Sequence, residues 1–120
     1  MGMSADGRTV AYLTAGKNGQ GDVHLYDMYQ QKVSKTLNIP IQPATFQALV
    51  LSHDSQYLAI MPLLLNVGTG KTTPLAGANS SSRAIFSANG KTLFFTAGHQ
   101  LYRHEPATGQ QQAINLSLPA

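Results

Sequence analysis

The sequence predicts an all-β chain of about three four-stranded antiparallel units, and three observations predict it. First, the stretch SADGRTVAYLT at positions 4–14 returns as SHDSQYLAIMP at 52–62 and as SANGKTLFFTA at 87–97. Second, each copy opens on small polar turn residues and enters an apolar, β-branched or aromatic run of strand length, with no convincing helix anywhere. Third, successive copies begin 48 and 35 residues apart, in the range of repeats that stack on one another.

The units span about 1–43, 44–80 and 81–120. In the first, the turn leads to a strand at 9–14, a loop rich in Gly and Asn at 15–21, the strand DVHLYD at 22–27, a turn at 28–31 and the strand KVSKTL at 32–37. A linker marked by Pro40 and Pro43 follows. FQALVLS at 46–52 opens the second unit; Pro43 and Ala44 could start a helix there on propensity. The equivalent SRAIFS at 82–87 is too short for a helix and holds the same register, so both segments are predicted strands. The second unit then turns abruptly, its strand ending at Met61 and Pro62 and the next beginning at Leu63. Antiparallel strands need at least a two-residue connection, so either this hairpin is built unlike the first or residues are missing.

The strand after each turn is apolar on both faces: Val10, Ala11, Tyr12 and Leu13, then Leu58, Ala59, Ile60 and Met61, then Leu93, Phe94 and Phe95. Such strands are covered on both sides. The last strand of each unit, in KVSKTL, KTTPLA and QQQAIN, is polar, and Lys residues and Pro74 mark it as an exposed sheet edge. A buried inner part and a polar outer edge describe a propeller blade, a four-stranded sheet stacked between neighbours. Only Met1 to Met3 precede the first turn, so the first blade is expected to lack most of its inner strand.

With these residues in view, SADGRTVAYLT followed by DVHLYDMYQQK resembles the TolB-like (WD40-like, PD40-type) β-propeller repeat, and SANGKTLFFTA with HQLYRHEPATGQ is similar, Asn89 replacing the acidic residue. The resemblance implies a blade in which Ser4, Asp6, Gly7, Ser52, Asp54, Ser87, Asn89 and Gly90 are structural turn residues. It also implies a partner-binding scaffold, with the bacterial periplasm or envelope as a compartment, or an accessory or gating propeller of a peptidase or sensor whose catalytic domain lies elsewhere.

Composition narrows the chemistry. Charged residues are 11% of 120, against about 25% in ordinary domains, and hydrophobic ones 42%, so Ser, Thr, Gln, Asn and Gly must cover much of the surface. The net charge of +3 is scattered without a basic stripe, which argues against nucleic acid. The apolar run at 57–67 is too short to span a bilayer. Without cysteine there is no disulfide, thiolate metal site or cysteine nucleophile.

NVGTGKTT at 66–73 looks like the end of a phosphate loop, but Leu65 stands where the first glycine belongs and Pro74 where the helix should start. The corresponding places at 27–32 and 107–110 are hairpin turns, and the same is expected here. His24, His53, His99 and His104 read as surface or turn residues without chelating partners. His53 is the one binding candidate, because it fills a turn position held by Ala5 and Ala88 in the other copies. The acids Asp6, Asp22, Asp27 and Asp54 are explained by turn chemistry, no acid–base pair or nucleophile elbow is present, and no cofactor or metal is predicted.

Three stacked blades would leave two apolar faces of on the order of 400 Å², each forfeiting roughly 10 kcal/mol of burial. The chain is therefore expected to be a non-enzymatic binding scaffold that is a piece of a larger ring, or that self-associates to complete one, with a protein partner.

Overall fold

The computed structural model describes residues 3–5, 8–16, 19–40, 49–79 and 82–114. Twelve strands among them form three four-stranded antiparallel meanders. The first sheet holds β1 (Met3–Ala5), β2 (Thr9–Ala15), β3 (Gly21–Asp27) and β4 (Lys32–Ile39) in that order. The second holds β5 (Leu49–Leu51), β6 (Tyr57–Ile60), β7 (Leu63–Asn66) and β8 (Thr72–Pro74). The third holds β9 (Ala84–Phe86), β10 (Leu93–Ala97), β11 (Gln100–His104) and β12 (Gln111–Ile114). The chain is thus all-β, with three blade-like sheets in chain order.

Side chains in a strand alternate between faces, and the alternation decides how the sheets stack. Ala11, Leu13, Val23, Leu25 and Ile39 of the first sheet pack on Leu49, Leu51, Leu58, Ile60 and Leu65 of the second. On its other face, the second sheet presents Ala59, Met61 and Leu64 to Ala84, Phe86, Leu93 and Phe95 of the third. Phe95 stacks on Tyr102 with ring centroids 5.2 Å apart. The middle sheet is therefore covered on both faces, and β6 is the strand apolar on both sides. The end sheets bury one face each, although their strands also read as apolar on both.

Between sheets, β5 packs on β1 and β2 on one side and on β9 on the other. The outer strands are tied to their neighbours by single bonds: the Lys35 ammonium donates to the Val67 carbonyl and the Gln111 amide to the Ala76 carbonyl. The polar edges expected at β4, β8 and β12 are half-buried or exposed along almost their whole length.

Three details differ from, or complete, the sequence reading. The inner strands β5 and β9 are three residues long, not six or seven, and match β1 in length; residues 46–48 lie outside the described ones. Ser4, expected in the turn, lies in β1 opposite Ala11. Only four residues separate the pair Ala5 and Val10, whereas six separate the pair Leu51 and Leu58, and six the pair Phe86 and Leu93. Finally, Ile60 pairs with Leu63, and the two residues Met61 and Pro62, joined by a cis peptide bond, make the whole connection. The abrupt hairpin is built differently and needs no further residues.

No helix of the described residues is long and apolar enough to cross a membrane.

Phe95 is 1% exposed between the second and third sheets, so Phe95→Ala is expected to cost about 3–5 kcal/mol. Gln110→Ala, on the exposed approach to β12, is expected to stay within about 0.5 kcal/mol. Urea midpoints measure both; equal costs would contradict the two-sided packing of the middle sheet.

Candidate functional site

Two of the repeated turns have the same bonding. After β5, the buried Ser52 hydroxyl donates to Asp54 Oδ1 at 2.7 Å and accepts the Tyr57 N–H at 3.0 Å, while Oδ1 also accepts the Gln56 N–H at 3.1 Å. After β9, Ser87 donates to Asn89 Oδ1 at 2.7 Å and accepts the Thr92 N–H at 3.1 Å, and Oδ1 accepts the Lys91 N–H at 3.0 Å. Backbone bonds match as well, Ser52 with Tyr57 and Ser87 with Thr92. The residue after the acid or amide is left-handed in both, Ser55 at φ 61° and Gly90 at φ 73°, which is why small residues stand there. Ser52, Asp54, Ser87, Asn89 and Gly90 are thus placed in the turns as expected. Ser4 is in a strand, and Asp6 and Gly7 lie outside the described residues.

The turns between each sheet's third and fourth strands fall at this same end, as an antiparallel meander dictates. Asp27 Oδ1 accepts the N–H groups of Tyr29 at 2.9 Å and Gln30 at 3.1 Å, and Asn66 Oδ1 accepts those of Gly68 and Thr69 at 3.0 and 3.2 Å. The phosphate-loop lookalike is therefore a β7–β8 hairpin turn with Gly70 at φ 78°, and strand β8 follows it. Asp27 also meets Arg8, Nη2 to Oδ2 at 3.5 Å, and the Arg8 guanidinium lies 5.5 Å from the centroid of the Tyr29 ring. The Gln30 N–H, joined by the Tyr29 N–H and Arg8, holds the Asp27 carboxyl below its ordinary value of 3.8 against the opposing effect of burial.

Two open depressions lie between neighbouring turns. One, of about 640 Å³ between the first and second sheets, is lined by Arg8, Asp27, Tyr29, His53 and Asp54. The other, of about 620 Å³ between the second and third, is lined by Asp54, Tyr57, Asn89, Lys91, Arg103 and Glu105. Asp54 belongs to both. Its carboxylate lies against Gly90, where an added Cβ would stand 3.2 Å from either oxygen, so glycine there also lets the two turns approach. Arg103 and Glu105 pair at 3.6 Å on the far rim.

The histidines separate. His53 is exposed and faces the first depression, where sequence placed the binding candidate. His99 is exposed in the β10–β11 turn at the opposite end. His104 is a correction. His104 is 4% exposed, its Nδ1 3.2 Å from the Gln111 side-chain oxygen, because its strand position opposite Leu93 turns it into the sheet interface. His24 lies on the outer face of the first sheet, stacked on Tyr12 with centroids 4.9 Å apart and held between Thr14 and Thr36. Among the described residues, no three of His, Cys, Asp and Glu gather around a common point.

Sequence reasoning took the cations Arg8, Lys91 and Arg103 as part of a scattered charge and did not single out Tyr29. A signal was there: Tyr29 is a large aromatic in a polar turn, and it is 75% exposed.

No protein-family model matches the chain, and no curated protein matches its sequence.

Two outcomes follow from these turns. Ser52→Ala strips a fully buried acceptor from the Tyr57 N–H and is expected to cost about 1–3 kcal/mol in a denaturation experiment. Ser87→Ala, at a less buried copy of the turn, is expected to cost less. For Asp27 the lowered carboxyl value fixes the sign: its stabilisation is fully present above the ordinary value of 3.8 and is lost as pH falls through the lower folded value. The stability advantage of the natural chain over Asp27→Asn should therefore be constant at neutral pH and shrink below pH 4. A gap independent of pH would rule this out.

Proposed function

We propose that the chain is a non-enzymatic scaffold, part of a TolB-like propeller, whose turn-bearing end binds a protein partner. The observation that carries the reading is the pair of adjoining depressions that share Asp54. Small-molecule sites enclose their ligand and are largely apolar with a few placed polar groups. These depressions are open and rimmed by both signs of charge, with Arg8 and Lys91 set among Asp27, Asp54 and Glu105. An extended segment or loop with its own alternating charges fits such a surface. Tyr29, exposed and stacked under Arg8, supplies an aromatic anchor of the kind that dominates protein interfaces. The depressions sit on turns fixed by side-chain oxygens, so little conformational entropy is lost on binding.

A random peptide library displayed on phage and selected on the immobilised chain tests this. Selected peptides are expected to lose at least tenfold in affinity on Tyr29→Ala and Lys91→Ala, and to keep it on His99→Ala at the other end. Peptides indifferent to the first pair, or a selection that yields none, would refute the reading.

A further inference from the structure

We infer that the two open end faces of the stack are made for each other, and that a second copy of this chain docks head to tail so that two chains close one ring of six sheets. This rests on the propeller reading but concerns different surfaces from the turn-bearing end.

The repeat itself identifies the mate. Val10 in β2, Leu58 in β6 and Leu93 in β10 each sit opposite the last paired residue of an inner strand, so they hold equivalent places. Leu58 and Leu93 are fully buried against the preceding sheet, while Val10, with Tyr12, looks out from the first sheet with no sheet before it. Counting one residue on, Ala11 and Ala59 are fully buried against the following sheet, and their equivalent Phe94 looks out from the third. One end therefore carries the receiving face of a sheet junction and the other the donating face. Among the described residues, each lacks the mate that the interior junctions have.

The exposed chemistry agrees. The outer face of the third sheet is an apolar depression around Ile85, Phe94 and Leu101, and Ile85 is 66% exposed. Arg83 lines it, and Arg103, cross-strand from Phe94, is paired with Glu105, which leaves that face net positive. The outer face of the first sheet offers Val10, Tyr12 and Tyr26, the Tyr12 ring already stacked on His24. Its charged group is Asp22, bonded to the Asn38 amide.

Area selects closure over an open contact. Four strands about 4.8 Å apart and about five residues long give a face of roughly 330 Å². A single junction then buries about 650 Å², no more than a lattice contact, whereas a closed pair makes two junctions and about 1,300 Å², within the range of stable interfaces. Because the sheets converge on β1, β5 and β9, repeating the junction bends the stack, and six sheets fall within the range of known rings.

Light scattering on the eluting 120-residue chain should give twice its 12.8 kDa mass. A monomer would overturn the proposal and leave the faces to another segment or protein. Ile85→Asp and Tyr12→Arg should each give a monomer alone, with an unchanged far-ultraviolet dichroism spectrum as the control for folding. A 1:1 mixture of the two keeps one junction intact and sets the new carboxylate against the new guanidinium in the other, so it should regain a weakened dimer at concentrations where neither variant alone dimerises. If either variant alone stays dimeric, like faces are pairing and the head-to-tail arrangement is wrong. Because the peptide selection reads the other end, a monomer that still binds peptides would fail this inference and spare the scaffold reading.

Discussion

The burial of β6 on both faces is the constraint on which the rest of the structure depends. Leu58 and Ile60 point one way and Ala59 the other, and all three are fully buried. A sheet with strands of three and four residues cannot stand alone in water, and one with no polar face cannot rest against a single neighbour. The middle sheet must be sandwiched. Once it is, the meander order of every sheet brings the repeated turns to one end of the stack. The two depressions are then the gaps left where sheets packed through their cores present turns that do not fill the space between them.

Comparison of equivalent turns separates the atoms that build them from the atoms left for other work. Asn89 makes the bonds that Asp54 makes, through the same oxygen, and Asn66 does likewise for Asp27. The turn therefore needs a carbonyl-type oxygen and no charge. At Asp54 and Asp27 the negative charge is surplus to the turn. Asp27 uses it to hold Arg8, which in turn lies over Tyr29, and Asp54 presents it at the junction of the two depressions. The charged surface is thus written into a structural motif at the positions where the copies differ.

Much of this was legible in the sequence, for physical reasons. Side-chain bonds within five residues depend on local spacing alone, so the turns at Ser52 and Ser87 could be read from three short strings. Polar composition, Lys residues and Pro74 likewise marked the outer edges. What escaped depended on partners distant in sequence. The register of β1, which draws Ser4 into a strand, is set by pairing and not by the turn string. The burial of His104 follows from a facing sheet, and the bonding of His24 from a threonine on each neighbouring strand. Arg8, Tyr29, Lys91 and Arg103 lie far apart in the chain, and only stacking gathers them along one rim.

Repeat proteins usually end in units whose outer face is polar, because an unmated repeat face exposes what its interior copies bury. The third sheet lacks that design, and the first has it only in part, its outer face setting Thr14, Asp22, His24, Thr36 and Asn38 beside Val10, Tyr12 and Tyr26. On the third sheet the position equivalent to buried Ala59 is occupied by a larger apolar group, Phe94, and the position equivalent to Val50 by an exposed Ile85. On the first, Tyr12 replaces Ile60 and is braced by a histidine that two threonines hold in place. Leaving on the order of 400 Å² uncovered at either end forfeits roughly 10 kcal/mol, as much as the net stability of an ordinary domain. By contrast, the sheet edges, which would template uncontrolled strand addition, are protected by lysines in and beside β4 and β8 and by glutamines in β12. The chain thus protects its edges while the outer face of the third sheet stays apolar, the asymmetry from which the proposed head-to-tail pairing is argued.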